Sequence, residues 1–185
     1  MRLSKVMSAC LAMMLLSGPS TAADTMMIDD FKTTPQSDWR FFADTVMGGV
    51  STGQAQFSNE TDSDFVRLTG QVSTSNNGGF IQIRTDLDTP PPADVTGIRI
   101  VARGNNQPYF VHLRTSGTVL PWQYYQASFT VSGSWTEFRL PLTDFERSGG
   151  MLRKTPLATA LKSVGIVAYG RDHEAMVDVR EIGFY

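Results

Sequence analysis

Phe80-Ile81-Gln82-Ile83-Arg84 alternates along the chain, with the two isoleucines on one side and Phe80, Gln82 and Arg84 on the other. A period of two predicts a β-strand, because successive side chains of a strand point to opposite faces of its sheet. An antiparallel sheet commonly packs one face on the core and leaves the other in solvent. The segment therefore predicts a strand whose isoleucines lie in a core and whose Arg84 lies on the outer face.

The same alternation recurs in further segments of the chain: 66–69, 98–100, 111–114 and 137–140. Turn-forming glycine, asparagine, proline and serine residues separate them at 76–79, 90–92, 104–106, 132–134 and 148–150. Many short strands with such turns predict an all-β fold, a single antiparallel jelly-roll sandwich. Only residues 157–162 have the pattern of a short helix, with Pro156 suited to its first turn.

The first 23 residues have the pattern of a secretory signal peptide. Arg2 and Lys5 are followed by an apolar stretch from Val6 to Leu16 and by the small residues 20–23. That apolar stretch is shorter than the roughly 20 residues that span a bilayer. We therefore expect cleavage near Asp24, a periplasmic or secreted protein, no transmembrane anchor after cleavage, and a single domain over residues 24–185.

Composition excludes several classes of function. The single cysteine, Cys10, lies in the predicted signal peptide, so the mature domain has neither a disulfide nor a thiol nucleophile. The net charge of −2 becomes more negative when Arg2 and Lys5 are removed, which argues against a nucleic-acid partner. Two histidines are too few for a histidine-rich metal site. We expect no cofactor; a structural calcium held by loop carboxylates stays open, because sequence spacing does not reveal such sites.

Residues 49–53 read Gly-Val-Ser-Thr-Gly and match the G-x-S-x-G pattern of a serine-hydrolase nucleophile elbow. Asp172 and His173 would complete a Ser-Asp-His order with Ser51. That elbow needs a helix directly after the serine, whereas residues 54–57 alternate as a strand does. The sequence therefore predicts a loop between strands and a protein that is not an enzyme.

Three predicted strands carry aromatic side chains mixed with arginine, histidine and glutamine on the face opposite the apolar stripe. The candidate binding residues are Arg84, His112, Arg114, Trp122, Tyr124 and Gln126. Such residues combine large rigid contact area with directed hydrogen bonding, as sugar-binding and protein-binding surfaces require. The alternative is an ordinary solvent-facing side of a sheet.

Residues 39–53 read Trp-Arg-Phe-Phe-Ala-Asp-Thr-Val-Met-Gly-Gly-Val-Ser-Thr-Gly. The D-x-V-M-G-G-x-S segment after an early tryptophan resembles the signature of the NADH:ubiquinone oxidoreductase (complex I) intermediate-associated protein 30 family. Residues 78–84, 124–129 and 135–145 also resemble segments of that family, and the resemblance extends from Ile28 to Tyr185.

The resemblance implies a galactose-binding-like jelly roll, related in shape to carbohydrate-binding modules, and a chaperone-like role in assembling respiratory complex I. We therefore expect an exported, non-enzymatic binding or assembly factor, with subunits of a membrane respiratory complex as its protein partners. The alternative is a carbohydrate-binding module for cell-envelope or external glycans. Fold resemblance does not by itself decide between them.

The signature segment also predicts a tight turn, formed by Asp44, Met47, Gly48, Gly49 and Ser51. The two glycines allow a positive φ or a close backbone approach. Asp44 and Ser51 flank the turn and can accept hydrogen bonds from its free amides, and Met47 offers an adaptable apolar contact. Both a purely structural turn and the edge of a binding site fit this pattern.

Overall fold

The computed structural model describes residues 26–32, 38–60 and 63–185. The predicted signal peptide, residues 1–23, lies outside these ranges. Within them the strands are β1 (Met26–Asp29), β2 (Arg40–Ala43), β3 (Thr52–Glu60), β4 (Ser63–Val72), β5 (Phe80–Asp86), β6 (Gly97–Gly104), β7 (Pro108–Thr115), β8 (Tyr125–Thr130), β9 (Thr136–Pro141), β10 (Glu146–Arg147), β11 (Leu161–Tyr169) and β12 (His173–Phe184).

The strands form two antiparallel sheets that pack face to face. Sheet A has the order β3-β4-β12-β6-β9, with β1 also pairing with β12. Sheet B has the order β10-β8-β7-β11-β5-β2. Because neighbours in each sheet are mostly distant in sequence, most pairings are not simple hairpins. The predicted all-β sandwich is confirmed.

The core lies between the sheets and is filled by the apolar residues of the predicted alternation. Ile81 and Ile83 of sheet B face the core, as do Val66 and Leu68 of sheet A, and each of these side chains is at most 1% exposed. Burying one such side chain stabilises the fold by about 1.5–3 kcal/mol. The period of two thus fixes which face of each strand remains outside.

The predicted helix at residues 157–162 is largely wrong. A 3₁₀ turn covers only Ala158–Ala160, and β11 begins at Leu161. Leu161 is fully buried and pairs with Thr115 of β7, so sheet pairing overrides the local helical preference. Within the described ranges, no helix has the length and apolar character needed to cross a membrane.

Candidate binding face on sheet B

The outer face of sheet B carries a row of side chains that crosses four strands. Gln126 of β8 pairs with His112 of β7, His112 pairs with Gly165 of β11, and Gly165 pairs with Arg84 of β5. Neighbouring strands lie about 4.8 Å apart, so the row is about 14 Å long. Gly165 has no side chain of its own, and Gln82 Oε1 lies 3.3 Å from where a Cβ at Gly165 would stand.

An aromatic cluster fixes the β7 end of this row. The His112 ring stacks on Tyr124, with centroids 4.2 Å apart and planes 9° from parallel. Tyr169 meets both rings edge-on, at 5.8 Å from His112 and 6.3 Å from Tyr124. Phe110 packs against Tyr169 at 6.0 Å. Each ring limits the motion of the others, so the cluster presents a fixed shape.

The titratable groups of the cluster are held in their neutral forms. Burial lowers the pKa of His112 to about 3, and this outweighs the opposing influence of nearby Gln126. Burial also raises the pKa of Tyr124, and hydrogen bonding to Tyr169 raises it further. At neutral pH the row therefore offers uncharged hydrogen-bonding groups at His112 and Tyr124.

Arg84 lies at the other end of the row and is half-buried. Its guanidinium carbon lies 4.7 Å from the centroid of the Phe42 ring on β2, a cation–π arrangement. Burial lowers the pKa of Arg84, but an arginine keeps its proton at any physiological pH. The nearby carboxylate of Asp86 forms its ion pair with Arg40 instead.

Three buried polar atoms of the row have no hydrogen-bond partner within the described residues: Arg84 Nε, His112 Nε2 and Gln126 Oε1. Buried polar atoms in folded proteins nearly always have a hydrogen-bond partner, because a buried donor or acceptor without one costs about 1–3 kcal/mol of stability. Three such atoms in one row mark this face as the candidate ligand site of the domain.

The outer face of sheet A is organised in the opposite way, because its charges are paired with one another. Asp178 accepts hydrogen bonds from Arg67 at 2.6 and 2.7 Å and from Arg103 at 2.9 Å, and Arg103 also reaches Glu60 at 2.6 Å. A second group joins Arg99 to Glu137 and Glu181. Arg180 on this face lies beside Trp135, and its Nε donates no hydrogen bond but lies 3.8 Å from Glu181 Oε1. Sheet B is therefore the better candidate for ligand contact.

The structure brings together four of the six predicted binding residues, namely Arg84, His112, Tyr124 and Gln126. A small recess of about 40 Å³ borders three of these residues but not Gln126; its lining residues are Gln82, Arg84, His112, Arg114, Pro121, Gln123 and Tyr124. Arg114 shares this face but is committed to the loop before β8, because its Nη2 donates to the carbonyl oxygens of Thr118 and Leu120. It therefore positions the wall of the recess.

Trp122 does not lie on a strand, contrary to the prediction that it continues the face of Tyr124 and Gln126. β8 begins only at Tyr125. Ser148 Oγ donates to the Trp122 carbonyl and accepts from the Tyr124 amide, which holds this segment in a turn. The indole is 63% exposed at the rim of the face.

The turn of the signature segment is held by Asp44, which is fully buried. Asp44 Oδ1 accepts from the Ser51 amide at 2.9 Å. Its Oδ2 accepts from Ser51 Oγ at 2.5 Å and from the amides of Gly79 at 2.5 Å and Phe80 at 3.2 Å. Burial raises the pKa of Asp44, but these hydrogen bonds outweigh it and the net pKa is lowered. Asp44 thus joins the turn to the start of β5, the strand that carries Arg84.

The two glycines of the turn have different reasons to be glycine. Gly48 has a φ of 88°, a left-handed conformation that other residues rarely adopt. A Cβ added to Gly49 would lie 2.3 Å from Asp44 Cγ, so no side chain fits there. Met47 is exposed and makes no core contact. The structure therefore favours the structural alternative for Asp44, Gly48, Gly49 and Ser51.

Ser51 lacks the surroundings of a nucleophile. β3 follows it directly, where an elbow would have a helix. Its hydroxyl donates to Asp44 and accepts from the Ser73 amide at 2.9 Å. His173 Nδ1 bonds to the carbonyl of Arg171, and Asp172 accepts from Thr74. The predicted loop between strands is confirmed, and the described residues contain no cluster of three metal-ligating side chains.

A larger recess of about 650 Å³ is lined by residues of β1 and β2 and by residues 85–89. Its wall is structural, since Trp39 Nε1 donates to Asp29 Oδ2 at 2.6 Å and Asp29 Oδ1 accepts from the Phe31 amide. The features of a binding site are concentrated on sheet B instead.

The sequence profile of the family described as complex I intermediate-associated protein 30 matches residues 29–176, which include the Asp44 turn and most of sheet B. The chain belongs to this family. No curated protein sequence shows significant similarity to it.

Solved structures of carbohydrate-binding modules share the fold of this complex I intermediate-associated protein 30 domain. The family 11 module of a cellulosomal cellulase from Clostridium thermocellum has a TM-score of 0.70 at 15% identity, with 89% of this chain and 95% of the module covered. The same type of module in complex with a β-1,3-1,4-mixed-linked tetrasaccharide has a TM-score of 0.69 at 15% identity, covering 86% and 94%. A family 30 module has a TM-score of 0.54 at 10% identity, covering 74% and 91%. At these identities the likeness is one of fold.

Three contributors to the face of this family member escape sequence reasoning: Phe42, Gly165 and Tyr169. β11 reads as a nearly continuous apolar run from Val164 to Ala168, and Val167 is buried although it points to the outer side. Such a run does not show which residues face outward. Only the strand order places Gly165 and Tyr169 beside His112.

Proposed function

We propose that this domain is an exported, non-catalytic binding factor that helps to assemble a membrane protein complex, and that it contacts its partner through the outer face of sheet B. The observation that carries the proposal is the row of unpartnered polar atoms at Arg84, His112 and Gln126, opposite a face on sheet A whose charges are largely paired. Family membership supports the assembly role, since the family is named for association with a complex I intermediate.

The non-catalytic part of the proposal draws on the signature turn. Both functional groups that could serve a hydrolase there, Ser51 and Asp44, are bound to each other and to backbone amides. A buried carboxylate with four donors and a lowered pKa is a poor general base, because its charge is already stabilised.

Export is supported by the pattern of residues 1–23, with the basic Arg2 and Lys5 before an apolar stretch. Mass measurement of the protein from cell fractions should give a periplasmic form that starts near Asp24. Full-length protein confined to the cytoplasm would contradict the exported role. It would not test the assignment of the binding face.

The binding role can be tested by affinity capture from membrane extract with the mature domain, followed by mass spectrometry. Arg84→Ala should reduce capture of the specific partner by about tenfold or more, as loss of an interface anchor does. Arg180→Ala is the matched control, because Arg180 is also half-buried beside an aromatic ring and its Nε donates no hydrogen bond, but it lies on sheet A with Glu181 at 3.8 Å. Equal loss in both variants, or loss in Arg180→Ala alone, would contradict the assignment of the face.

Glycan binding is the second candidate function. The observation that favours it is the stacked pair of Tyr124 and His112 beside Gln126, which combines an aromatic surface with neutral hydrogen-bonding groups. A carbohydrate-binding module of the same fold has been solved with an oligosaccharide. Affinity electrophoresis against a panel of polysaccharides tests this directly. Retardation that Tyr124→Ala abolishes would support it, and no retardation by any glycan would exclude it.

A further inference from the structure

A second recess continues the face beyond Arg84. It has a volume of about 260 Å³, and its lining residues are Arg84, Asp86, Arg114, Thr115, Thr118, Lys162 and Ser163. Arg84 and Arg114 also line the smaller recess at His112 and Tyr124. The two recesses therefore adjoin at these arginines, and together they are called the groove.

The groove concentrates positive charge on an otherwise acidic protein. Arg84, Arg114 and Lys162 line it, whereas the chain as a whole has a net charge of −2. The acid in the lining, Asp86, is paired with Arg40 at the edge of the sheet. Burial lowers the pKa of Arg84, the carboxylate of Asp86 opposes this, and the charges of Arg114 and Arg40 lower the pKa further. An anion placed among these cations would be stabilised.

Arg84 is oriented for such an anion. The arginines of the charge network on sheet A, Arg67, Arg99 and Arg103, each have a carboxylate partner. Arg84 is half-buried, stacks on Phe42 and donates no hydrogen bond within the described residues. A stacked guanidinium has lost part of its freedom before binding, and its planar fork matches the paired oxygens of a carboxylate or of a phosphate.

The rest of the groove suits sugar hydroxyls rather than a peptide. His112 and Gln82 offer neutral donors and acceptors, and Tyr124 offers an aromatic surface. A peptide interface normally centres on buried apolar anchors. The lining of the two recesses supplies little apolar surface besides Pro121 and Tyr124.

We propose that this groove binds an acidic oligosaccharide, with the carboxylate of a uronic acid unit on Arg84 and the hydroxyls of neighbouring units on His112 and Gln82. Lys162 and Arg114 add positive charge around the same carboxylate. The row of about 14 Å from Gln126 to Arg84 favours a chain of sugars over a single one. This inference rests on the second candidate function and specifies its ligand class.

The test is isothermal titration of the mature domain with three probes: an oligogalacturonate, the same oligomer with its carboxylates methyl-esterified, and a neutral β-1,3-1,4-linked tetrasaccharide. We expect the acid to bind at least tenfold more tightly than its ester, with the advantage shrinking at high salt. Arg84→Met keeps the apolar stem on Phe42 and should weaken binding of the acid by about 10- to 100-fold while leaving the ester nearly unchanged. Arg180→Met, on sheet A, should bind like the wild type.

Thermal melts of both variants separate folding from binding. Equal affinity for acid and ester would overturn the inference and leave glycan binding standing. No binding of any of the sugars would overturn both. A poly-glutamate peptide that binds as tightly as the uronate would also overturn it, in favour of an acidic protein segment. Arg84-dependent capture of a protein without sugar binding would leave only the assembly role.

Discussion

Replacing Asp44 by asparagine tests whether the signature turn is a structural clamp. Asp44 Oδ2 accepts from Ser51 Oγ and from the amides of Gly79 and Phe80. An asparagine has one oxygen, so its NH₂ group must face either those two amides or the Ser51 amide. In each orientation at least one buried donor meets another donor.

The expected cost follows from these contacts. A hydrogen bond to a charged group contributes about 1.5–3 kcal/mol, and removing a buried ionic partner typically costs about 3–5 kcal/mol. We expect Asp44→Asn to lower the free energy of unfolding by about 3 kcal/mol, a large part of a typical stability of about 5–15 kcal/mol. For a domain of this size the melting temperature should fall by about 6–12 °C.

Urea unfolding followed by tryptophan fluorescence measures this change, with the midpoint shifted and the m-value unchanged. Asp172→Asn is the matched control, because Asp172 also accepts two hydrogen bonds, both from Thr74, but is exposed. The urea midpoint of Asp172→Asn should stay close to that of the wild type, because hydrogen bonds to an exposed carboxylate add little to stability. Because the pKa of Asp44 is lowered in the fold, the stability it contributes is full above pH 3.8 and is lost as the pH falls through the folded value. A loss below about 1 kcal/mol in Asp44→Asn at pH 7 would refute the clamp.

Three further outcomes are expected. The pKa of His112 is about 3 in the fold and 6.5 in the unfolded chain, so its neutral form is favoured by folding and wild-type stability falls as pH drops from 6.5. Between pH 6.5 and 5, protonation of His112 in the unfolded chain lowers the free energy of unfolding by about 2 kcal/mol. In His112→Gln, the free energy of unfolding measured in urea should therefore depend less on pH. Ser51→Ala should cost about 1–2 kcal/mol in urea unfolding, through the lost bonds to Asp44 and Ser73, without altering ester hydrolysis above background. Trp122→Ala should change the free energy of unfolding by less than about 0.5 kcal/mol, because the side chain is exposed, but should weaken ligand binding measured by titration.

The fold was accessible from the sequence because its strands have one buried face each. Ile81 and Ile83, like Val111 and Leu113, alternate with polar residues, and burial of the apolar set fixes both strand and orientation. Residues 157–162 were not accessible in this way. Their local pattern is helical, and only the partner strand at Thr115 draws Leu161 into the sheet.

The candidate site was predictable only in part. The alternation of side chains within each strand places Arg84, His112 and Gln126 on an outer face, and the structure brings them into one row. The alternation does not give the order of the strands in the sheet, so Gly165 and Tyr169 were not predicted as neighbours of His112. Trp122 was misplaced because the alternation continues past the point where backbone pairing begins.

Radical footprinting of the domain bound to its ligand tests the central claim most directly, because it reports the exposure of individual side chains. Trp122 lies at the rim of the sheet B face, and Trp135 lies on the outer side of sheet A beside Arg103. We predict that binding lowers the oxidation rate of Trp122 and Tyr124 by severalfold and leaves Trp135 unchanged. Protection of Trp135 with Trp122 and Tyr124 unaffected would contradict the assignment of sheet B as the binding face.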